Sequence, residues 1–265
     1  MRTFFKRYGK TLLKIIPGLL LILFSFFIFA YYPKINISKT QTVAKASPSN
    51  AKLVPYDFRS NPVYGMSKKL QSEQLTKKQI KLREQKARKK INYKSSVPYK
   101  VKINRTENFV MIYGVDIYGK YTIPYKCFVC STAKNIKNTL LGHYRLNGRY
   151  RWHWMVDNSY AQYAIRFYNT LMLHSVPYYK QKPNTLETNE YNKLGSSASL
   201  GCVRMRVADI KWIYDHCQSG TELTIYDKKG EIPPIPYEEP AKLSTSDSKS
   251  CWDPTDPNKN NPWNK

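Results

Sequence analysis

Ser199-Leu200-Gly201-Cys202-Val203-Arg204-Met205 places a cysteine directly after a glycine, in a stretch of small residues just before a helix-forming segment. Backbone N–H groups at such a turn can converge on one point. They can stabilise a thiolate or the oxyanion of an acyl-transfer intermediate. A free cysteine is also a common inert core residue, so position alone does not assign chemistry to Cys202. A thiol nucleophile needs a base. The chain has four histidines, His143, His153, His174 and His216. His174 ends the apolar run Leu171-Met172-Leu173 and is followed by Ser175. A histidine at a strand end, aimed at a neighbouring turn, is placed to take a thiol's proton. Read singly, His174 fits a structural histidine equally well.

The elements that would hold these residues are mostly strands. The stretch 99–114 alternates apolar and polar residues on either side of Asn104–Asn108, which predicts a hairpin. Residues 120–132 read as a further strand. In 143–156, Asn147-Gly148 between aromatic-rich arms predicts a second hairpin. The segment 160–175 reads as a strand pair turning at Tyr168-Asn169, which would deliver His174. Residues 176–198 are long, polar and irregular. The clear helix is 207–217, with Asp209 near its start and Ser219-Gly220 past its end, and 221–227 is a last strand. After Lys228 the chain is rich in Pro, Asp, Asn and Lys, so 229–265 is expected to be a disordered tail.

Composition bounds the remaining possibilities. Hydrophobic residues are 42% and aromatics 14%, which excludes a wholly disordered chain, and five cysteines exclude a disulfide-dense scaffold. The net charge is +26, but residues 1–100 hold 22 basic and 3 acidic residues while 101–265 hold 22 and 15. The basic excess therefore sits outside the predicted fold, which argues against a nucleic-acid-binding domain. Residues 1–14 are a basic lead. Ile15–Tyr32 is an uncharged run of 18 residues, just long enough to cross a bilayer. The basic flank would keep the N-terminus cytoplasmic and put the rest outside. An uncleaved anchor in the cell membrane is the expectation, with a cleaved signal and a secreted product as the alternative. Residues 33–98 form a basic linker, part helical. Its stretch 67–94 carries 11 basic and 2 acidic residues and no Gly or Pro. It is either a solvated spacer or an adhesive for anionic wall polymers or lipid head groups.

The histidine run followed by a loop and Ser-Leu-Gly-Cys-Val-Arg-Met resembles the signature of the L,D-transpeptidase (YkuD-type) catalytic domain, here in a membrane-anchored form expected from a Gram-positive bacterium. Ile165–Ser175 is similar to the strand carrying that family's histidine. Cys130–Asn135 with Leu141-Gly142-His143-Tyr144 resembles its Ser-Thr…Thr-Pro-x-Gly stretch, and 209–227 resembles its closing helix-Gly-Thr-strand unit. The resemblance covers 99–228. It implies a mainly β fold: a sandwich or barrel of mostly antiparallel strands with one or two short helices.

The resemblance further implies that Cys202 is the nucleophile, His174 its base and then acid, and Ser175 the third member orienting the imidazole. A turn hydroxyl bonded to local backbone is the other reading of Ser175. Gly201 would allow close approach of substrate. Ser199 would support the turn, and Arg204 would brace it or meet a substrate carboxylate. The backbone N–H groups of Gly201 and Cys202 would hold the oxyanion. The implied substrates are peptidoglycan stem peptides as donor and acceptor. A tetrapeptide would acylate Cys202, release D-Ala and form a 3→3 cross-link. An L,D-carboxypeptidase and a catalytically lapsed wall-binding module are the alternatives. No cofactor, metal or nucleic acid is called for.

Three departures stand out. Leu200 replaces a histidine common in the family, the glycine turn reads Leu140-Leu141-Gly142-His143, and 24 residues separate His174 from Ser199, enough to form a lid. Tyr168 and Trp154 are candidates to line the cleft, although sheet packing accounts for them as well. Cys127 and Cys130 fall on a predicted strand, where positions i and i+3 point to opposite faces; packing residues are expected there. Cys217 is expected to pack at a helix end, and Cys251, in the tail, is a candidate for intermolecular pairing.

Overall fold

The computed structural model describes residues 77–264, so the basic lead, the apolar run and most of the linker lie outside the described residues. Among the described residues no helix is long and apolar enough to cross a membrane. The order is α1 (Lys77–Arg88), β1 (Tyr99–Asn104), β2 (Phe109–Gly114), β3 (Ile123–Val129), β4 (Gly142–Arg145), β5 (Asn147–Trp154), β6 (Tyr160–Tyr168), β7 (Leu171–Ser175), α2 (Thr188–Tyr191), β8 (Val203–Met205), α3 (Val207–His216) and β9 (Glu222–Tyr226). Short 3-10 turns lie at Ile136–Asn138, Ser248–Cys251 and Pro262–Asn264.

Two sheets result. One has five strands in the order β3-β2-β1-β9-β4, the other four in the order β5-β6-β7-β8. Only β1–β9 and β7–β8 run parallel. The fold is mainly β, with few helices, as the alternation of apolar residues predicts. One apolar cluster joins the two sheets, from Val101, Ile103 and Ile225 in the first to Ile165, Leu173, Val203 and Met205 in the second. Ile210 and Ile213 of α3 pack against it.

The hairpin expected in 99–114 forms, with Asn104 opposite Phe109. Asn108 takes the left-handed conformation (φ 53°) that asparagine tolerates better than most residues. The turn at Tyr168-Asn169 also forms, with Asn169 at φ 43°. The hairpin predicted at Asn147-Gly148 does not. β4 pairs with β9 in one sheet and β5 with β6 in the other, so this dipeptide carries the chain between sheets. Local turn chemistry was outweighed by the pairing that each arm finds elsewhere.

The tail expected to be disordered is instead packed, and polar groups hold it. Asp253, Asp256 and Asn261 are all buried. Asp253 accepts from the Val207 N–H at 2.9 Å, and the Thr255 hydroxyl accepts from the Ala208 N–H at 3.0 Å, so the tail caps α3 from some 46 residues away. Asp256 accepts from the Gln162 side chain of β6 at 2.9 Å. A composition count misses this because the segment contributes hydrogen-bonding groups to the fold rather than a core of its own.

The linker's end is likewise part of the folded body. Glu84 of α1 pairs with Lys126 of β3 at 2.7 Å, and Ile91 packs so tightly on Gly114 that a Cβ there would lie 2.4 Å from its side chain.

Candidate active site

β7 and β8 run side by side with His174 opposite Arg204 and Leu173 opposite Val203. Strand alternation then puts His174 and Arg204 on one face, with Leu173, Val203 and Met205 turned into the core. Cys202, one residue before β8, continues the Arg204 face. It lies diagonally across from His174, roughly 8 Å away between Cα atoms by strand geometry. Both side chains line one open cleft together with Met155, Val156, Asp157, Ser159, Pro177, Ser199, Leu200 and Arg204.

The imidazole's protonation is set by its surroundings. His174 Nδ1 lies 2.6 Å from the carbonyl oxygen of Ser175. A carbonyl only accepts, so Nδ1 carries the proton and Nε2 carries the lone pair. His174 is buried and its Nε2 has no hydrogen-bond partner, so its lone pair is free. Burial, helped by the Arg204 charge, pushes its pKa down to about 4. Burial also raises the Cys202 thiol. The resting pair is therefore a neutral thiol and a neutral imidazole, which differs from a preformed thiolate–imidazolium pair. The thiol donates weakly to the Thr170 carbonyl at 3.8 Å.

Each expected site residue can now be placed. Ser175 orients the imidazole, but through its main-chain carbonyl. Its hydroxyl accepts from the Gln162 N–H and donates to the Val176 carbonyl, which is the local turn reading. Ser199 supports the turn, donating to the Cys202 carbonyl at 2.5 Å and accepting from the Gly201 N–H at 3.2 Å. That second bond corrects the expected oxyanion pair, because the Gly201 N–H is already engaged and Cys202 N–H is the member of the pair that the turn does not use.

Arg204 is a brace. Its guanidinium donates to Glu190 of α2 at 2.5 Å, lies 3.7 Å from Asp157, and leaves Nε buried without a partner. At Gly201 the close neighbours are the protein's own: a Cβ would lie 2.9 Å from the end of the Leu171 side chain and 3.3 Å from the Asn138 carbonyl. Gly201→Ala is therefore expected to push the nucleophile turn away from β7. The expected cost is about 1–3 kcal/mol of stability with a larger fractional loss of Cys202 acylation, read by thermal unfolding and adduct formation.

Trp154 and Tyr168 do not line the cleft. Trp154 is 60% exposed, and Tyr168 lies tilted against Tyr144 at 5.6 Å between ring centroids. The long segment 176–198 is not a free lid. Tyr178 and Tyr160 exchange backbone bonds, Leu186 N–H donates to the Cys251 carbonyl, and Gly195 N–H donates to the Cys130 carbonyl. The Cys127 side chain joins Phe109, Met111 and Ile235, whereas Cys130 joins the main core, the opposite faces that strand spacing requires. Cys217 is buried in the core. The cleft residues that the sequence did not single out are Met155, Val156, Asp157, Ser159 and Pro177. The first four belong to the β5–β6 turn, whose Asp-Asn-Ser reads locally as nothing more than a turn.

Residues 98–225 match the family described as "YkuD: L,D-transpeptidase catalytic domain". YciB of Bacillus subtilis (strain 168), a protein provisionally named an L,D-transpeptidase, is 34% identical over 80 residues; the match takes in 28% of this chain and 40% of that protein's length. Among solved structures, an L,D-transpeptidase from Mycobacterium smegmatis aligns at 12% identity and TM-score 0.39, over 49% of this chain and 59% of that one. L,D-transpeptidase (Yku) from Stackebrandtia nassauensis aligns at 17% and 0.38, over 57% and 69%. Over residues 98–225, then, this chain is similar to the L,D-transpeptidase catalytic domain of the YkuD family.

Proposed function

We propose that the chain is a peptidoglycan L,D-transpeptidase working through Cys202. The observation that carries this reading is the shared cleft. It holds one thiol and one buried imidazole whose tautomer is fixed by the Ser175 carbonyl, leaving the Nε2 lone pair unpartnered.

The chemistry follows from that geometry. As Cys202 sulfur attacks the carbonyl carbon of the third residue of a stem tetrapeptide, its proton passes to His174 Nε2. The oxyanion that forms is met by Cys202 N–H. Collapse breaks the amide bond; D-Ala leaves as an amine and takes the proton from Nε2. A thioester remains. An acceptor amine then attacks the thioester, its proton goes through His174 to the departing thiolate, and a 3→3 cross-link results. With water as acceptor the same site is an L,D-carboxypeptidase. The cleft is small and open, with about 280 Å³ of empty space even when open solvent is counted. Only the reacting segment fits inside, so the rest of each stem must lie over the rim, where the lining residues Leu200 and Val156 are exposed.

The apolar run at 15–32 supports a single membrane anchor with the domain outside the cytoplasm. The basic linker supports contact with anionic wall polymers or lipid head groups. The test is to incubate the full chain in detergent with tetrapeptide-bearing muropeptides and follow D-Ala release and dimers by mass spectrometry. Cys202→Ala is expected to abolish both products. Product that survives this substitution would overturn the assignment. A covalent carbapenem adduct at Cys202 separates an enzyme from a lapsed wall-binding module.

A further inference from the structure

We infer that Asp157 is the specificity-determining residue for the second half of this reaction, the site that receives the acceptor as a primary amine. The inference rests on the proposed transpeptidation. Asp157 sits on the β5–β6 turn and lines the cleft with Cys202, His174 and Arg204. Its Oδ1 is fully engaged, accepting from the Ser159 N–H at 3.2 Å and the Ser159 hydroxyl at 2.6 Å. Its Oδ2 has only the Arg204 guanidinium at 3.7 Å, beyond hydrogen-bond distance. One carboxylate oxygen is thus held in place and left with its acceptor capacity free.

The surroundings favour a cation. The chain as a whole is +26, yet burial, together with the negative charges of Asp157 and Glu190, pushes the nearby Glu187 carboxyl up. The opposing Arg204 charge is committed to Glu190, and Lys193 to the other oxygen of the same carboxylate. Asp157 itself stays ionised because the Ser159 bonds and the Arg204 charge hold its carboxyl below the usual range against the cost of burial. Two buried polar atoms on cleft-lining side chains, His174 Nε2 and Arg204 Nε, lack partners. An incoming N–H can meet the His174 lone pair, whereas the Arg204 N–H calls for an acceptor such as a substrate carbonyl.

An ammonium drawn into this cleft donates one N–H to Asp157 Oδ2. It sheds one proton to solvent, and the neutral amine keeps that bond by donating a remaining N–H. Its lone pair attacks the thioester carbon, its second proton passes to His174 Nε2, and the C–S bond breaks. Cys202 sulfur recovers the proton from Nε2. The balance is amine plus thioester giving amide plus thiol. Water, the competing acceptor, can donate to the same carboxylate but brings no positive charge to it. Asp157 therefore shifts the ratio of cross-link to hydrolysis.

The experiment uses the full chain in detergent, a tetrapeptide muropeptide as donor and a stem tripeptide ending in lysine as the acceptor probe. Asp157→Asn keeps the shape and one acceptor for Ser159. It is expected to lower the dimer-to-hydrolysis ratio by about 10-fold or more, the scale of losing one hydrogen bond to a charged group, and to raise the KM for the acceptor. Carbapenem adduct formation, which needs no acceptor amine, is expected to change by a much smaller factor than the ratio does. Ser159→Ala, which keeps the charge and loosens its mounting, is expected to lower the ratio less, and Asp157→Glu to restore part of it. An unchanged ratio in Asp157→Asn overturns the inference, and so does an equal fall in acylation and aminolysis, which would mean that the carboxylate acts on the Cys202–His174 pair. Wild-type protein that releases no D-Ala overturns the transpeptidase reading itself and this assignment with it.

Discussion

Replacing His174 with glutamine is expected to leave a folded protein whose Cys202 is acylated at least about 100-fold more slowly. Glutamine has similar bulk and can donate to the Ser175 carbonyl, so the packing and the orienting bond survive. What is lost is the Nε2 lone pair. The comparison is made by following carbapenem adduct formation with time for wild type and variant. Equal rates would show that Cys202 finds its base elsewhere.

The pH dependence sharpens the same test. Because the imidazole is pushed down to about 4, wild-type acylation should hold its rate well below pH 6.5 and fail only as His174 protonates near pH 4. An acid limb at the ordinary histidine pKa would contradict the burial that the structure assigns. Stability follows the same group. The folded-state pKa of about 4 lies below the unfolded value near 6.5. The contribution is therefore complete above pH 6.5 and is lost as pH falls towards 4, where the unfolded chain has already taken up its proton. The wild-type stability advantage over His174→Gln should shrink by about 3 kcal/mol between pH 7 and pH 4, measured by urea unfolding at each pH.

The second large effect lies far from the cleft in sequence. Asp253→Ala is expected to destabilise the fold by about 2–4 kcal/mol, combining a lost helix cap with a buried Val207 N–H left without a partner. In a body of this size that is a fall in Tm of about 5–15 °C, readable by circular dichroism. The effect should reach the site, because α3 follows directly on β8 and the Cys251 carbonyl holds the Leu186 N–H of the segment leading to Glu190. Cys202 acylation should therefore fall along with Tm. Asp253→Asn keeps an acceptor and should lose less.

Its pH behaviour should run opposite to that of His174. Burial raises the Asp253 carboxyl to about 6, so its contribution is complete below pH 4 and declines as pH rises through 6. A truncation after Ser246 that left Tm and acylation unchanged would return the segment to the status of a passive tail.

Legibility of the fold divides along a physical line. The hairpin in 99–114, the Tyr168-Asn169 turn and the helix at 207–217 were readable because each is set by neighbours within about ten residues: alternation, a residue tolerant of positive φ, a stop signal. The same reasoning misread Asn147-Gly148, whose turn preference is real but whose flanking strands pair in different sheets. It also misread the tail. Asp253 and Asn261 look like solvated polar residues until the groups they satisfy, the Val207 N–H and the Asp253 and Asp256 carbonyls, are brought to them by the fold.

The site divides in the same way. The sequence by itself supplied the candidate pair: a thiol after a glycine and a histidine closing an apolar run are matters of residue type and local order, and the family resemblance is what singled them out together. Only the tertiary structure decided that the Ser175 carbonyl, and not its hydroxyl, fixes the imidazole, that Ser199 takes up the Gly201 N–H, and that Asp157 of a distant turn lines the same cleft as Cys202. Those are relations between surfaces of different strands. Which polar atom is left unpaired at such a meeting depends on register and burial, and no window along the chain contains either.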